Sequence, residues 1–348
     1  MNILVGEISS YKAIVIARYI KRNYKDAVVY TYDKKRRSNY VKSRYSDKHF
    51  FVNQKYFEEE LQKLIKENNI DFFFPVINNS LSILLKNKKA YGKSLDYVDE
   101  MSAYKTLNNK KSLHTLASQL GIKVPVIFKD FEEATPPFVI KPVNLSSAIG
   151  VHYVFANEEK TSATYNGTDI FQEFVKGQGV GYSFYAKNGK VLDGYGHRRL
   201  SEYPIAGGSS TYRQYYHNNT MHEVASSIIE NLNYTGFAMF EFKLTNDNEL
   251  YLLEVNPRIW GSINQGMVDG NVNYFEGILG SATIDRTQNH KDKKTYIGPL
   301  IYVSLLRYLI IFKLKPIANF FSNIFSNKAD VNLLSDPMGY ISTILRKI

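Results

Sequence analysis

Two glutamates are predicted to face each other in a β-hairpin, with an asparagine on the same face. Apolar segments flank the polar turn cluster 245–249, which is typical of two antiparallel strands. A centre between residues 247 and 248 places Glu241 opposite Glu254, and the two-residue period puts Asn256 beside Glu254. Opposed carboxylates repel unless a cation separates them, and these oxygen ligands suit Mg²⁺ with nucleotide phosphates. The hairpin therefore predicts a metal site; a solvated hairpin face is the alternative.

A strand that ends in lysine precedes a loop of small residues. Residues 138–142 are apolar up to Lys141, and the loop 144–151 around Ser147 follows. Backbone N–H groups of such a loop can lie over phosphates while the lysine supplies charge. This pattern predicts phosphate binding, although a lysine before a serine-rich turn is also a common structural feature.

The segment 170–177 is predicted to be a strand. Its backbone amide and carbonyl groups could contact a flat heterocycle while Phe174 or Val175 packs nearby. An ordinary edge strand is the alternative.

Arginines bracket the glycine-serine stretch 207–211. Arg198 and Arg199 precede it and Arg213 follows it. A guanidinium group can form two parallel hydrogen bonds with the oxygens of a phosphate or a carboxylate. Glycines permit a mobile loop that closes over a site. A surface patch of ion pairs is the alternative. His197 has no companion histidines at metal-ligand spacing, so we expect it to have a structural or orienting role.

Composition excludes several other classes of protein. The chain has 348 residues, is 44% hydrophobic and contains no cysteine, which excludes thiol catalysis and thiolate metal sites. Its net charge of +11 suits anionic partners, but no zinc pattern, RNA-recognition signature or basic helix supports nucleic-acid binding. The first residues lack the pattern of a signal peptide, and the longest apolar run is too short for a single-pass anchor. We therefore expect a cytoplasmic protein.

The N-terminal part alternates short apolar strands with helical stretches, which predicts a parallel α/β unit. A single glycine follows the first strand, so nicotinamide dinucleotide binding is disfavoured. The predicted elements are strands at 3–5, 27–32 and 71–76 and helices at 13–24 and 56–68.

The rest of the chain predicts an α+β region with antiparallel strands. Helix 111–120 stops at Gly121, and strands with turn signals then recur around a helix at 221–232. The predicted strands are 138–141, 151–155, 170–175, 182–187, 190–195, 236–244 and 250–256.

Taken in order, these segments resemble the ATP-grasp superfamily, especially the carbamoyl-phosphate-synthase-like members often linked to cell-surface glycan synthesis. The resemblance spans about residues 1–280 and extends weakly to 335–337. It is carried by Asn109-Lys110, the Lys141 strand and loop, 172–177, 197–204, 207–211, Glu241 and 254–262.

The resemblance implies a fold in four parts. A parallel, Rossmann-like pre-ATP-grasp α/β domain would span 1–103, and a small ATP-grasp subdomain that covers the nucleotide would span 104–178. A large subdomain with the Mg²⁺ and ATP site would span 179–282, and a basic helical C-terminal extension 283–348. Both ATP-grasp subdomains would contain antiparallel sheets.

The resemblance also implies roles for individual residues. The nucleotide contacts would be Lys110, Lys141, Ser147, Gln172, Glu173, Phe174, Val175 and Gln178. The ligands of Mg²⁺, or of Mn²⁺, would be Glu241, Glu254 and Asn256. The catalytic arginines would be Arg258, Arg199 and Arg213, with Arg258 facing the γ-phosphate. Gln178 stands where many relatives carry a ribose-binding glutamate, and 78–80 replaces a usual aspartate.

The implied activity is ATP-dependent ligation of a carboxylate to an amine through an acyl phosphate. Such transfer needs positioning and charge neutralisation more than an acid or base. The acid would be a small molecule or part of a glycan. A non-catalytic nucleotide-binding protein and a ligase that forms a carbamate or thioester are the alternatives.

The C-terminal segment combines apolar stripes with basic charge. Residues 317, 320, 321, 324 and 325 recur at helical spacing, and the apolar run 300–312 precedes them. Packing on the core, a homodimer contact, or peripheral contact with the acidic inner face of a membrane would each explain this pattern.

Overall fold

Three β-sheets organise the residues that the computed structural model describes, which are 1–34, 43–144, 148–205, 207–281 and 292–345. The first is a four-stranded parallel sheet near the N-terminus. The second is a small four-stranded antiparallel sheet, and the third is a seven-stranded sheet that is largely antiparallel.

The parallel sheet has the strand order β3-β2-β1-β4. Its strands are β1 (Asn2–Val5), β2 (Val28–Lys34), β3 (Lys48–Val52) and β4 (Phe72–Phe74). The accompanying helices are α1 (Tyr11–Asn23), α2 (Phe57–Glu67), α3 (Asn78–Lys86), α4 (Met101–Asn108) and α5 (Lys110–Gln119), with 3₁₀ segments at Gln54–Tyr56 and Lys88–Leu95. The three predicted strands are confirmed. The sequence did not predict β3, because its side chains are mostly half-buried or exposed and show no apolar alternation.

The small antiparallel sheet, here called the lid sheet, has the order β5-β8-β6-β7. It comprises β5 (Ile127–Phe128), β6 (Phe138–Pro142), β7 (His152–Val154) and β8 (Asp169–Glu173), with helix α6 (Asn157–Ser162). It has its own small core, formed by Ala134, Phe138, Ile140, Val154 and Phe171.

The seven-stranded central sheet has the order β13-β12-β9-β10-β11-β14-β15. Its strands are β9 (Gln178–Lys187), β10 (Lys190–Tyr203), β11 (Ser209–Tyr215), β12 (Gly236–Leu244), β13 (Leu250–Asn256), β14 (Thr295–Tyr296) and β15 (Lys328–Ala329). The neighbouring helices are α7 (Asn219–Asn231), α8 (Ile263–Asp269) and α9 (Glu276–Leu279). Helix α7 buries Met221, Ala225 and Ile228 in a core shared with β9 and β12.

The predicted mobile stretch 207–211 is mostly a strand, which corrects that prediction. Ser209 opens β11 and pairs with Tyr203 at the end of β10, and Ser210 pairs with Glu202. The turn itself is confined to the residues before β11. Gly208 is required there, because a Cβ atom would lie 2.1 Å from the carbonyl carbon of Tyr203.

The C-terminal segment is built into the central sheet, since β14 and β15 form one of its edges. Its helices are α10 (Gly298–Ile310), α11 (Leu314–Ser322) and α12 (Pro337–Leu345). Within the described residues, no helix is both long enough and apolar enough to cross a membrane. The predicted stripe divides: Phe320 is buried, whereas Phe321 and Phe325 are exposed.

Candidate active site

The β12–β13 hairpin places Glu241 directly opposite Glu254, as predicted. The position of the turn and the pairing next to it differ from the prediction. Next to the turn, Leu244 pairs with Leu250 and Phe242 with Leu252, so the turn is centred on Asp247. An irregularity between Glu241 and Phe242 then shifts the pairing by one residue and brings the two glutamates together.

Both carboxylates are bound by cationic side chains. Lys110 Nζ lies 3.1 Å from Glu254 Oε2, and an Arg199 guanidinium nitrogen contacts Glu241 Oε2. Asn256 completes the group, since its Nδ2 donates to Glu241 Oε1 at 3.1 Å. Arg258 Nη2 donates to Asn256 Oδ1 at 2.8 Å. The predicted metal ligands and two of the three predicted arginines are therefore adjacent.

The electrostatics of the cluster favour bound anions. Burial by itself would raise the pKa of Glu254, but Lys110 and Lys141 outweigh it and hold that pKa below its usual value. Burial raises the pKa of Glu241 despite the neighbouring Arg199. Burial, followed by the charge of Lys110, lowers the pKa of Lys141 to about 8. An anionic ligand would relieve the repulsion between these two lysines.

A cavity of about 320 Å³ lies between the lid sheet and the central sheet. Its apolar wall includes Val139, Phe174, Val175, Phe242 and Leu253. Its polar lining includes the predicted residues Lys110, Lys141, Arg199, Glu241 and Glu254. A cavity lined by apolar side chains together with lysines and an arginine suits a planar heterocycle that carries phosphates, and it is here called the slot.

The lid sheet positions Gln172, Glu173 and Phe174 along this cavity. Gln172 is buried and its amide lies 3.4 Å from His114 Nδ1, while His114 Nε2 contacts the Leu253 carbonyl at 3.1 Å. The Glu173 carboxylate accepts a hydrogen bond from the Val126 N–H at 3.0 Å. One oxygen of the Glu173 carboxylate is thus engaged by the backbone before β5.

Among the described residues, one predicted nucleotide contact, Gln178, does not line this cavity. Gln178 is exposed, and its Nε2 donates to the Arg199 carbonyl at 3.3 Å, while the flanking Gly177 and Gly179 line the cavity instead. Gln178 therefore does not substitute for a ribose-binding glutamate here. Ser147 lies outside the described residues.

A second cavity of about 330 Å³ lies on the N-terminal side of the glutamates. Arg199, Gly207, Glu241 and Glu254 line both cavities. Its other lining residues are mainly polar and include Ser9, Ser10, Tyr11, Lys12, Ser209, Ser210, Asn256, Arg258, Ser262 and Thr343. The glutamates and Arg199 thus form the junction between a slot for a heterocycle and a polar chamber.

The histidine that lines this polar chamber is held neutral. Burial, with Arg199 and Arg213 nearby, lowers the pKa of His197 to about 3. Its Nε2 lies 3.4 Å from Ser262 Oγ. His197 therefore supplies no charge near neutral pH, and its predicted structural or orienting role stays a prediction.

Arg213 does not belong to this site, which corrects its assignment as a catalytic residue. It is fully buried, and one of its nitrogens contacts both carboxylate oxygens of Asp330. Arg213 was assigned to the site because it follows the glycine-serine stretch, and it does pair with Arg199 across β10 and β11. The spacing of residues in the sequence could not show that its acidic partner, Asp330, comes from the C-terminal segment. Its role is to join β11 to the residues after β15.

Glu202 and Lys243 line the same cavity but were not predicted as site residues. Glu202 Oε2 lies 3.3 Å from Arg199 Nη1, and both Glu202 and Lys243 line the slot. Lys243 follows Glu241 by two residues in β12, so the strand period could have revealed it. Glu202 depends on β10 extending to Tyr203, and the predicted strand ended at residue 195.

The donor set fits a hard divalent cation only if nucleotide phosphates complete it. Within the described ranges, no three acidic, histidine or cysteine side chains cluster as metal ligands. Two opposed carboxylates and the amide oxygen of Asn256 match the donors of a Mg²⁺ site that shares phosphate ligands. To bind a cation, Glu254 would have to release Lys110, and Glu241 would have to release Arg199.

The cavity therefore lies between two sheets and is lined by lysines from the lid side and by the paired glutamates of the central sheet. Residues 107–262 match the family model described as "ATP-grasp domain". This part of the chain is therefore an ATP-grasp domain, as the resemblance implied. No curated protein sequence matches the chain significantly.

Solved structures of similar fold agree with this assignment. A biotin carboxylase from Campylobacter jejuni is 13% identical at TM-score 0.66, covering 84% of this chain and 74% of its own. An L-amino acid ligase from Bacillus licheniformis is 16% identical at TM-score 0.62, covering 81% and 73%. An N5-carboxyaminoimidazole ribonucleotide synthetase from Thermotoga maritima is 20% identical at TM-score 0.55, covering 79% and 73%. At these identities the likeness concerns the fold.

Proposed function

We propose that this protein is an ATP-dependent ligase that joins a carboxylate to an amine through an acyl phosphate. The observation that carries the proposal is the junction of the two cavities at Glu241, Glu254 and Arg199. ATP in the slot would direct its γ-phosphate toward the polar chamber, where the acid would bind. The names of the similar structures, which include an L-amino acid ligase and an N5-carboxyaminoimidazole ribonucleotide synthetase, support this class of reaction.

The residues of the junction would each have a separate task. Lys110 and Lys141 would bind phosphates from the lid side, and Glu241, Glu254 and Asn256 would hold Mg²⁺, which neutralises charge that develops on phosphoryl transfer. Arg258 would orient the acid from the chamber side, since it lines the chamber and is fixed to Asn256. Arg199 would bridge both sides.

The chamber favours an acid that carries hydroxyl groups. Seven of its described lining residues offer hydroxyls: Ser9, Ser10, Tyr11, Ser209, Ser210, Ser262 and Thr343. Among the described lining residues the acidic ones are Glu241 and Glu254, which already contact cations, so no carboxylate is free to bind an ammonium group. A sugar acid, free or within a glycan precursor, suits this lining better than an α-amino acid. The described lining residues show no comparable feature that indicates which amine would react.

Two other functions have specific support. The pairing of both glutamates with protein cations would also suit a nucleotide-binding protein without turnover. The fold shared with a biotin carboxylase supports carbamate formation from bicarbonate. The first alternative would release no product, and the second would give a carbamate instead of an amide.

The test is ADP formation with Mg²⁺ and ATP across pools of acids and amines, with mass detection of the product. The acid pools should contain uronic acids, amino acids and bicarbonate, and Glu254→Gln serves as the matched control. We expect ADP above that control only with an acid pool that contains hydroxylated acids. ATP binding without ADP formation in any pool would support the non-catalytic alternative, and product from bicarbonate alone would support carbamate formation.

A further inference from the structure

Helix α10 has apolar residues on both sides, since Ile301, Leu305 and Tyr308 on its inner side are buried. Ser304 is fully buried, and its hydroxyl lies 2.6 Å from Ser201 Oγ and 3.1 Å from the Glu202 carbonyl. The opposite side of the helix exposes Tyr302, Val303, Leu306, Leu309 and Ile310. On the surface of a soluble protein, the exposed side of a helix is normally polar.

The exposed apolar side continues into the connection to α11. Ile311 and Leu314 are exposed, and Phe312 is 86% exposed. We call residues 302, 303, 306, 309–312 and 314 the apolar face. Single exposed hydrophobic residues are ordinary, but a contiguous set of this size usually marks a contact with a partner or a membrane.

The charges around the apolar face distinguish between these partners. Arg307, Lys313 and Lys315 lie within or beside it and are exposed. The acidic residues between 293 and 345 are Asp330 and Asp336, and both are 1% exposed. A two-fold contact between copies of this chain would bring like charges together without acidic partners. A surface of anionic lipid is complementary in charge and accepts the apolar side chains.

We propose that the apolar face docks on an anionic membrane surface, with α10 lying in the plane of the lipid headgroups. This inference goes beyond the ligase activity and does not depend on it. Docking would also place the site near the membrane, because Tyr308 and Lys313 line the nucleotide slot while the neighbouring Leu309 and Phe312 belong to the apolar face. An acid attached to a lipid-linked glycan could then reach the site.

Vesicle flotation of the full chain tests the proposal. We expect binding to vesicles of phosphatidylcholine with phosphatidylglycerol, weaker binding to phosphatidylcholine alone, and a decrease with added salt. Leu306→Gln/Phe312→Asn should reduce partitioning at least about tenfold, since it removes apolar area. Asn suits position 312, where φ is 54°. Arg307→Gln/Lys315→Gln should reduce binding to the anionic vesicles about fivefold per residue.

Two controls make the outcome decisive. Leu192→Asn removes an exposed apolar residue of β10, and Lys86→Gln/Lys89→Gln removes two lysines from the N-terminal region; both should bind vesicles as the wild type does. Circular dichroism and thermal unfolding verify the fold of each variant. Absence of vesicle binding by the wild type overturns the proposal, as does equal loss in the controls. A dimer that light scattering detects and that Leu306→Gln/Phe312→Asn dissociates, without vesicle binding, would identify a second copy as the occupant.

Discussion

At the scale of single residues, the candidate site contains two carboxylates whose like charges repel each other. Glu241 and Glu254 are opposed across a hairpin and are tolerated because Arg199 and Lys110 lie against them. The same cations make the junction attractive to phosphate. The site therefore combines its two carboxylates with cations that could also bind an anion.

Glu254→Gln should abolish Mg²⁺-dependent ATP turnover while the protein remains folded. The substitution keeps the shape of the side chain but removes the charge that would hold the cation and that pairs with Lys110. We expect a loss of about 100-fold or more in kcat, the scale seen when a group that stabilises developing charge is removed. Turnover is measured by ADP release, and circular dichroism checks the fold. Wild-type turnover in a folded variant would refute the assignment of Glu254.

Lys141 should make nucleotide binding depend on pH near 8. Its pKa is lowered from an ordinary 10.5 to about 8, so raising the pH from 7 to 9 removes its charge in the free protein. A phosphate ligand favours the charged form, so the dissociation constant for ATP should increase over this range, by about tenfold if a proton must be taken up at the upper end. Fluorescence titration with a nucleotide analogue measures it. Lys141→Arg keeps the charge and should remove most of this dependence; an unchanged profile in that variant would assign the effect to another group.

At the scale of elements, the C-terminal segment completes the central sheet. Arg213 on β11 and Asp330 after β15 form a buried ion pair, to which Asn264 Nδ2 adds a hydrogen bond of 3.1 Å. Arg18 Nη1 also donates to the Asp330 carbonyl at 2.8 Å. The helix α1, the sheet edge and the C-terminal segment are thus held at one point.

Asp330→Asn should destabilise the fold without altering nucleotide contacts. Leaving a buried arginine without its counter-charge costs about 3 to 5 kcal/mol in the free energy of unfolding. Urea unfolding measures the loss, and Lys123→Gln, which removes an exposed ion pair with Glu249, is the control that should change stability little. Replacing both partners, as in Arg213→Met/Asp330→Leu, should recover much of the loss. Equal effects of Asp330→Asn and Lys123→Gln would contradict the structural role of the pair.

The strands that carry the glutamates could be predicted from the sequence, because an apolar alternation on both sides of a polar turn specifies a hairpin. The irregularity beside Glu241 could not, since bulges depend on packing against the next strand. The contacts of Arg199 with Glu241 and of Arg213 with Asp330 could not be predicted from the sequence either. These partners lie 42 and 117 residues apart along the chain, and only the folded sheet brings them together.

At the scale of the whole molecule, the nucleotide slot lies between two sheets that have separate cores. The core of the lid sheet has five buried apolar residues, whereas the N-terminal sheet and the central sheet share a much larger core. A small core makes the lid sheet the less stable unit. A ligand that contacts both sheets should therefore stabilise the lid sheet most.

Hydrogen exchange should show this effect. With Mg²⁺ and a non-hydrolysable ATP analogue, amides of β6 and β8 should exchange about tenfold more slowly, whereas those of β1 and β2 should change little. Glu254→Gln should weaken this protection. Uniform protection across the chain, or none in the lid sheet, would contradict nucleotide binding between the two sheets.

The central claim is that the γ-phosphate is transferred to a carboxylate oxygen. It is tested by turnover with an acid whose carboxylate is labelled with ¹⁸O, followed by mass analysis of the released phosphate. An acyl phosphate requires that one labelled oxygen leave the acid with the phosphate as the amine attacks. We predict that each phosphate released with an amide product carries one ¹⁸O. Unlabelled phosphate released together with the amide product, with the label lost from the acid found in water instead, would contradict the account.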